Sequence, residues 1–323
     1  MRFQFAIGYS RARVSVRAWK LKFLVSGALV IALAAGIAGQ TASQLTQHVD
    51  IAFTGRLSGK PFTCGSSYEN VGTEKTTVTP RDLRFFVTDV ALLKADGTAV
   101  PLILDQDGVW QYRSVALIDL EDGSGGCRNG NSAMHKAVSG TISAGDYTGL
   151  RFTMGVPFEL DHGDTLAAPS PLNMTAMFWT WQSGYKFLRA EVSVVPVATS
   201  SQEKSESPTE TKPKPRSSGF PVHIGSTGCA SASETSPPKS ACKRPNLVVV
   251  SLPRFNASSD VVVFDFDRLL AGSDVTKNTP DTPPGCMSFE NDPDCIPVMK
   301  ALGLPFREAA AIPQTVFYSE PKP

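Results

Sequence analysis

Imidazole and indole rings are the scarce chemical groups of this sequence. The 323-residue chain holds four histidines, His48, His135, His162 and His223, and four tryptophans, of which Trp110, Trp179 and Trp181 lie beyond the leader. Neutral imidazole is a good ligand for copper and zinc, and two histidines with one further donor suffice to hold copper. His162 stands between two aspartates in Leu160-Asp161-His162-Gly163-Asp164, in a loop after a predicted strand, where Asp161 or Asp164 could orient the ring from behind. His223 opens the run His223-Ile224-Gly225-Ser226-Thr227-Gly228-Cys229. Trp179 and Trp181 alternate in Phe178-Trp179-Thr180-Trp181, and on an extended strand a period of two puts them on one face. His48 falls near the expected mature N-terminus and is a further ligand candidate, whereas His135 reads as a strand or loop residue. Each has a plainer reading: a histidine as a satisfied loop residue, the paired tryptophans as core packing.

Catalytic patterns are missing from the sequence. There is no GxSxG elbow, GxGxxG or P-loop, and no base and nucleophile that pair by spacing, so a non-catalytic protein is expected. No CxxC or Cys/His cluster has zinc-site spacing, and CxxCH, which would attach haem, is absent. Lys plus Arg number 31 against 30 Asp plus Glu, with no basic patch to hold nucleic acid.

The elements that must position these groups are strands. Alternating or β-branched runs at 49–53, 83–93, 100–104, 110–120, 147–156, 177–195, 220–224, 247–252 and 261–266, separated by Gly/Asp/Asn turns, predict an all-β, antiparallel sandwich or barrel-like domain with long loops. One short helix is expected over 298–302. Basic residues from Arg2 to Lys22, an apolar run over 23–39 and small residues around Gly36 and Ala38 read as a signal peptide spanning 1–42; the competing reading is a single membrane anchor. A single domain then runs from 43 to 323. It is interrupted over about 199–218 by a Ser/Glu/Lys/Pro-rich segment that reads as a disordered insertion or a linker. The six cysteines, Cys64, Cys127, Cys229, Cys242, Cys286 and Cys295, all follow the leader. An even count in an exported chain argues for disulfides and an oxidising location, periplasmic or extracellular. Fifteen pairings are possible; the local pairs Cys229–Cys242 and Cys286–Cys295 need least rearrangement and would leave Cys64–Cys127.

Taken in order, Pro61-Phe62-Thr63-Cys64-Gly65, Asp82-Leu83-Arg84-Phe85-Phe86-Val87, Gly155-Val156-Pro157-Phe158 running to His162, Pro171-Leu172-Asn173, Trp179-Thr180-Trp181-Gln182-Ser183-Gly184-Tyr185-Lys186, the His223–Cys229 run and Gly285-Cys286-Met287-Ser288 span most of the mature chain. This series resembles the metallo-mystery pair four-Cys family of MbnP-like proteins, although the family name counts four cysteines and this chain has six. The resemblance implies a copper-binding envelope protein encoded beside a di-haem peroxidase of the MauG type. The partner would convert a tryptophan to kynurenine, which then helps histidines hold copper. Carried onto this sequence it implies His162 and His223 as ligands and Trp179 or Trp181 as the modified residue, with Trp110 a third candidate. The alternative function is a secreted β-sandwich adhesion or carbohydrate-binding module using Trp179 and Trp181 as a stacking platform.

Overall fold

The computed structural model describes residues 45–128, 130, 132–195 and 219–323. The expected leader and the low-complexity segment at 199–218 lie outside the described residues. The chain forms an all-β sandwich of two main sheets. In the first, strand order is Phe317–Pro321, Asp260–Asp265, Thr46–Leu57, Ala137–Ser143, Ile103–Leu104. In the second it is Gly219–Ile224, Leu188–Val194, Thr76–Leu93, Gly149–Met154, Val248–Leu252, with shorter strands such as Val115–Asp119 also paired to Thr76–Leu93. The named strands of the described residues pair antiparallel except Thr46–Leu57 and Asp260–Asp265, which run parallel with Phe53 opposite Val262.

Alternation explains the core. Ile51, Phe53 and Leu57 project inward from the first sheet, and Leu83, Phe85 and Val87 from the second. The Phe85 ring meets those of Phe53, Phe264 and Phe317 at centroid separations of 5.9, 5.6 and 5.5 Å, offset or edge-on as the ring quadrupoles prefer. Thr76–Leu93 is buried on both faces over much of its length. Its outer side carries Asp82, Arg84 and Phe86, roofed by a second apolar cluster that includes Leu172, Met177, Tyr185 and Phe187.

Several expected strands change on folding. The run 110–120 is a tight hairpin, Gln111–Tyr112 against Val115–Asp119, turning at Arg113 with φ 54°. The run 177–195 is broken into three strands, described below. Strand Ala137–Ser143 went unpredicted because Gly140 interrupts its alternation; a Cβ there would lie 2.4 Å from the Ile103 carbonyl oxygen, so the close strand approach requires glycine. The expected helix is Cys295–Ala301, and Phe266–Leu270 is a further one, its first turn capped by the Asp265 carboxylate accepting from the Arg268 N–H. No helix among the described residues is long and apolar enough to cross a membrane.

All six cysteines pair, as Cys64–Cys127, Cys229–Cys242 and Cys286–Cys295. Cys64–Cys127 closes a loop with a sequence separation of 63. A crosslink of that length restrains the unfolded chain by about 4 kcal/mol. Replacing both residues, Cys64→Ser with Cys127→Ser, is therefore expected to lower unfolding free energy by about that amount, read as a fall in denaturant midpoint under non-reducing conditions.

Candidate metal centre

The tryptophan motif folds as a hairpin. Phe178–Thr180 pairs with Gly184–Tyr185, and Trp181 to Ser183 make the turn. This corrects the expectation that Trp179 and Trp181 share a strand face. The cause is Gln182-Ser183-Gly184: Gly184 takes φ 72°, and a Cβ there would lie 2.3 Å from the Asp161 carboxylate. Trp181 is 36% exposed at the turn. The half-buried Trp179 ring lies over Gly225, where an added Cβ would approach its Cζ3 to 2.6 Å.

Next to the turn sits His162, buried at the end of the short helix Phe158–Asp161. Its Nδ1 lies 3.1 Å from the Trp181 carbonyl oxygen. A carbonyl can only accept, so Nδ1 carries the proton and Nε2 presents a lone pair. That lone pair faces Asp161 Oδ2 at 3.3 Å and Cys242 Sγ at 3.6 Å. Asp161 is buried and accepts hydrogen bonds from the Tyr185 N–H at 2.7 Å and the Ser226 hydroxyl at 2.9 Å. Burial outweighs those bonds and pushes its carboxyl up to about 7, while burial pushes the His162 imidazolium down. The arrangement is thus a neutral imidazole beside a carboxyl that keeps its proton to unusually high pH.

His223 lies on the edge strand Gly219–Ile224, in a row of outer-face residues crossing four strands. Asp119 is opposite Arg84, Arg84 opposite Arg189, and Arg189 opposite His223. Asp82 and Glu191 form the adjacent row. Arg84 Nε donates to Asp82 at 2.9 Å, and Arg189 Nε lies 3.0 Å from Asp82 and 2.7 Å from Glu191. The His223 Nε2–H donates to Glu191 at 2.7 Å. Burial opposes the Glu191 charge, but the bonds from His223 and Arg189 win and hold the carboxyl down to about 2. Burial also lowers the His223 pKa, against the pull of Glu191. With Nε2 tied to a permanent carboxylate, Nδ1 is left as the free donor. Burial and the neighbouring Arg189 bring Lys186 down to about 8, its ammonium donating to the Ala176 carbonyl at 2.8 Å. The sequence reading missed this lattice. Its signal was present in Asp82-x-Arg84 and Arg189-x-Glu191, opposite charges two apart on strands and hence on one face.

Each histidine therefore has a tryptophan neighbour of its own. Trp179 approaches His223, ring centroids 6.4 Å apart, and Trp181 supplies the carbonyl that orients His162. His48 lies apart from both, on Thr46–Leu57 in the other sheet, exposed and bonded to Asp105 at 2.7 Å. Trp110 stacks on His135 at 5.2 Å and 1°. Histidines used as metal ligands commonly hold a carboxylate or backbone carbonyl through the other ring nitrogen, and both His162 and His223 do so. Both rings have their pKa lowered by burial, which favours the neutral imidazole that serves as a borderline ligand. Among the described residues two groups have ligand atoms within 4.8 Å of one another, His162/Cys229/Cys242 and Cys64/Glu121/Cys127, but their sulfurs are joined in disulfides.

The MbnP family model matches residues 46–288. The solved structure of MbnP from Methylosinus trichosporium aligns with TM-score 0.71 and 29% identity, covering 86% of this chain and 100% of that one. No curated protein matches.

The raised Asp161 carboxyl gives a pH signature. Between an ordinary value of 3.8 and about 7 the folded protein holds a proton that the unfolded chain has released, so this group's contribution to stability is full below about 4 and is lost as pH rises through 7. Asp161→Asn keeps an acceptor for the Tyr185 N–H and does not titrate. Relative to that variant, the native protein is expected to lose on the order of 3 kcal/mol between pH 4 and pH 8 in denaturant unfolding.

Proposed function

The chain belongs to the MbnP family, and on that premise we propose that it is an exported copper-binding protein whose own tryptophan is the substrate of a partner di-haem peroxidase of the MauG type. The observation that carries this reading is the matched state of the two histidines. Each is buried and tied through one nitrogen, to the Trp181 carbonyl or the Glu191 carboxylate, which leaves the lone pair on the other nitrogen. His162 Nε2 and His223 Nδ1 would hold the metal. Ring opening of Trp179 or Trp181 to kynurenine would convert an indole N–H, a donor only, into an aryl amine and a ketone able to bind. Bound copper would supply a redox-active ion held by nitrogen donors. The protein's part is to fix both imidazole tautomers, to shield the site and to present the hairpin. Three disulfides suit an oxidising compartment, in keeping with export to the periplasm or cell surface. In this reading the chain performs no catalysis itself. A carbohydrate-stacking platform would need both rings on one exposed face, and the hairpin separates them.

Expression with and without the haem partner, followed by intact mass, peptide mapping and metal analysis, tests the proposal. The expected result is a partner-dependent conversion of Trp179 or Trp181 to kynurenine with stoichiometric copper, and a loss of ~10-fold or more in copper affinity for His162→Ala and for His223→Ala. A protein that stays unmodified and copper-free beside an active partner would falsify it.

A further inference from the structure

The Cys229–Cys242 disulfide differs from the other two in its surroundings. Cys64, Cys127, Cys286 and Cys295 are sealed in the interior, whereas Cys229 is only half-buried, on a surface loop. Its partner Cys242 is buried, with Sγ 3.6 Å from Nε2 of His162. Behind the disulfide the two strand necks are clasped independently of it: the Thr227 N–H donates to the Arg244 carbonyl at 2.8 Å, the Arg244 N–H returns to Thr227 at 3.0 Å, and the Lys243 N–H reaches the Gly228 carbonyl at 3.3 Å. None of these backbone bonds runs through the S–S bond. The two sulfurs and a His162 nitrogen already lie within 4.8 Å of one another.

We propose that Cys229–Cys242 is a reducible disulfide and that its reduction opens a buried Cys2His site for a soft d10 cation. An external dithiol attacks as a thiolate at the sulfur of Cys229, the less buried of the two residues, and Cys242 leaves as a thiolate beside His162. The second sulfur of the donor then displaces Cys229 and closes the donor's own disulfide. Two electrons pass from the dithiol to the protein, and its two protons end on Cys229 and Cys242. A cation entering the site releases those protons and is held by two thiolates and the His162 nitrogen, a donor set that selects soft ions. The site shares His162 with the copper function proposed above but needs no tryptophan modification, so either can stand without the other.

The test uses full-length mature protein expressed without the haem partner, treated with increasing dithiothreitol and probed with cadmium alone. Alkylation and peptide mapping are expected to find Cys229 and Cys242 reduced at a donor concentration at least ~10-fold below that needed for the other pairs. The reduced protein is expected to take one cadmium per chain with a thiolate-to-metal ultraviolet band. The oxidised protein and the Cys229→Ser/Cys242→Ser double variant would show no band, and His162→Gln would bind at least ~10-fold more weakly. Far-ultraviolet circular dichroism reports that the reduced protein and each variant are folded. Reduction of the three disulfides together, a folded reduced protein without the band, or a His162→Gln protein that binds as well as native would overturn the proposal. None of these outcomes touches the copper reading, which is tested on oxidised protein with the partner present.

Discussion

A carboxylate removed from water must find a cation, a set of N–H donors or a proton, and the outer face of the nine-stranded sheet is organised around that requirement. Asp82 is buried and Glu191 partly so, with Arg84 and Arg189 bonded to them and His223 bonded to Glu191. Asp161 has no guanidinium near it and keeps a proton instead. The two solutions give two chemically different carboxyls, one permanently charged and one neutral into the physiological range. Each sits against one of the two histidines. The hairpin over them exists to close this layer, and Phe86, Tyr185 and Phe187 supply the apolar contact that fastens it.

The strands that the sequence made plain are those with one simple environment. Residues 49–53 and 147–156 alternate or run apolar because they face the inter-sheet core. The start of Thr76–Leu93 is not legible because Pro80, Arg81 and Asp82 look like loop residues, and only the partners of Asp82 across the sheet make its burial tolerable. His162 and His223 were legible through scarcity of histidine and through the flanking motifs. Glu191 was not, since it lies 32 residues from His223 in sequence and becomes its partner only through strand pairing. Trp181 misled for a different reason. A Phe-Trp-Thr-Trp run has strand periodicity, but Gly184 three residues later adopts a conformation that turns the chain under Asp161.

Close backbone approach recurs at the site. Gly184 lies against the Asp161 carboxylate and Gly225 against the Trp179 ring, so the aromatic hairpin and the histidine-bearing segment are held in contact by missing side chains as much as by present ones. Between them runs the chain of bonds from the Tyr185 N–H and the Ser226 hydroxyl to Asp161, which links the tryptophan hairpin, the His162 helix and the His223 strand in one unit.

The parallel pairing of Thr46–Leu57 with Asp260–Asp265 bears on how the molecule is assembled. The first strand is central to its sheet, yet one neighbour is contributed some two hundred residues later and the edge beyond that by the closing strand Phe317–Pro321. The first sheet thus cannot be completed in the order the chain is made. Pairing strands so far apart in sequence is a connectivity of high contact order, which favours slow folding.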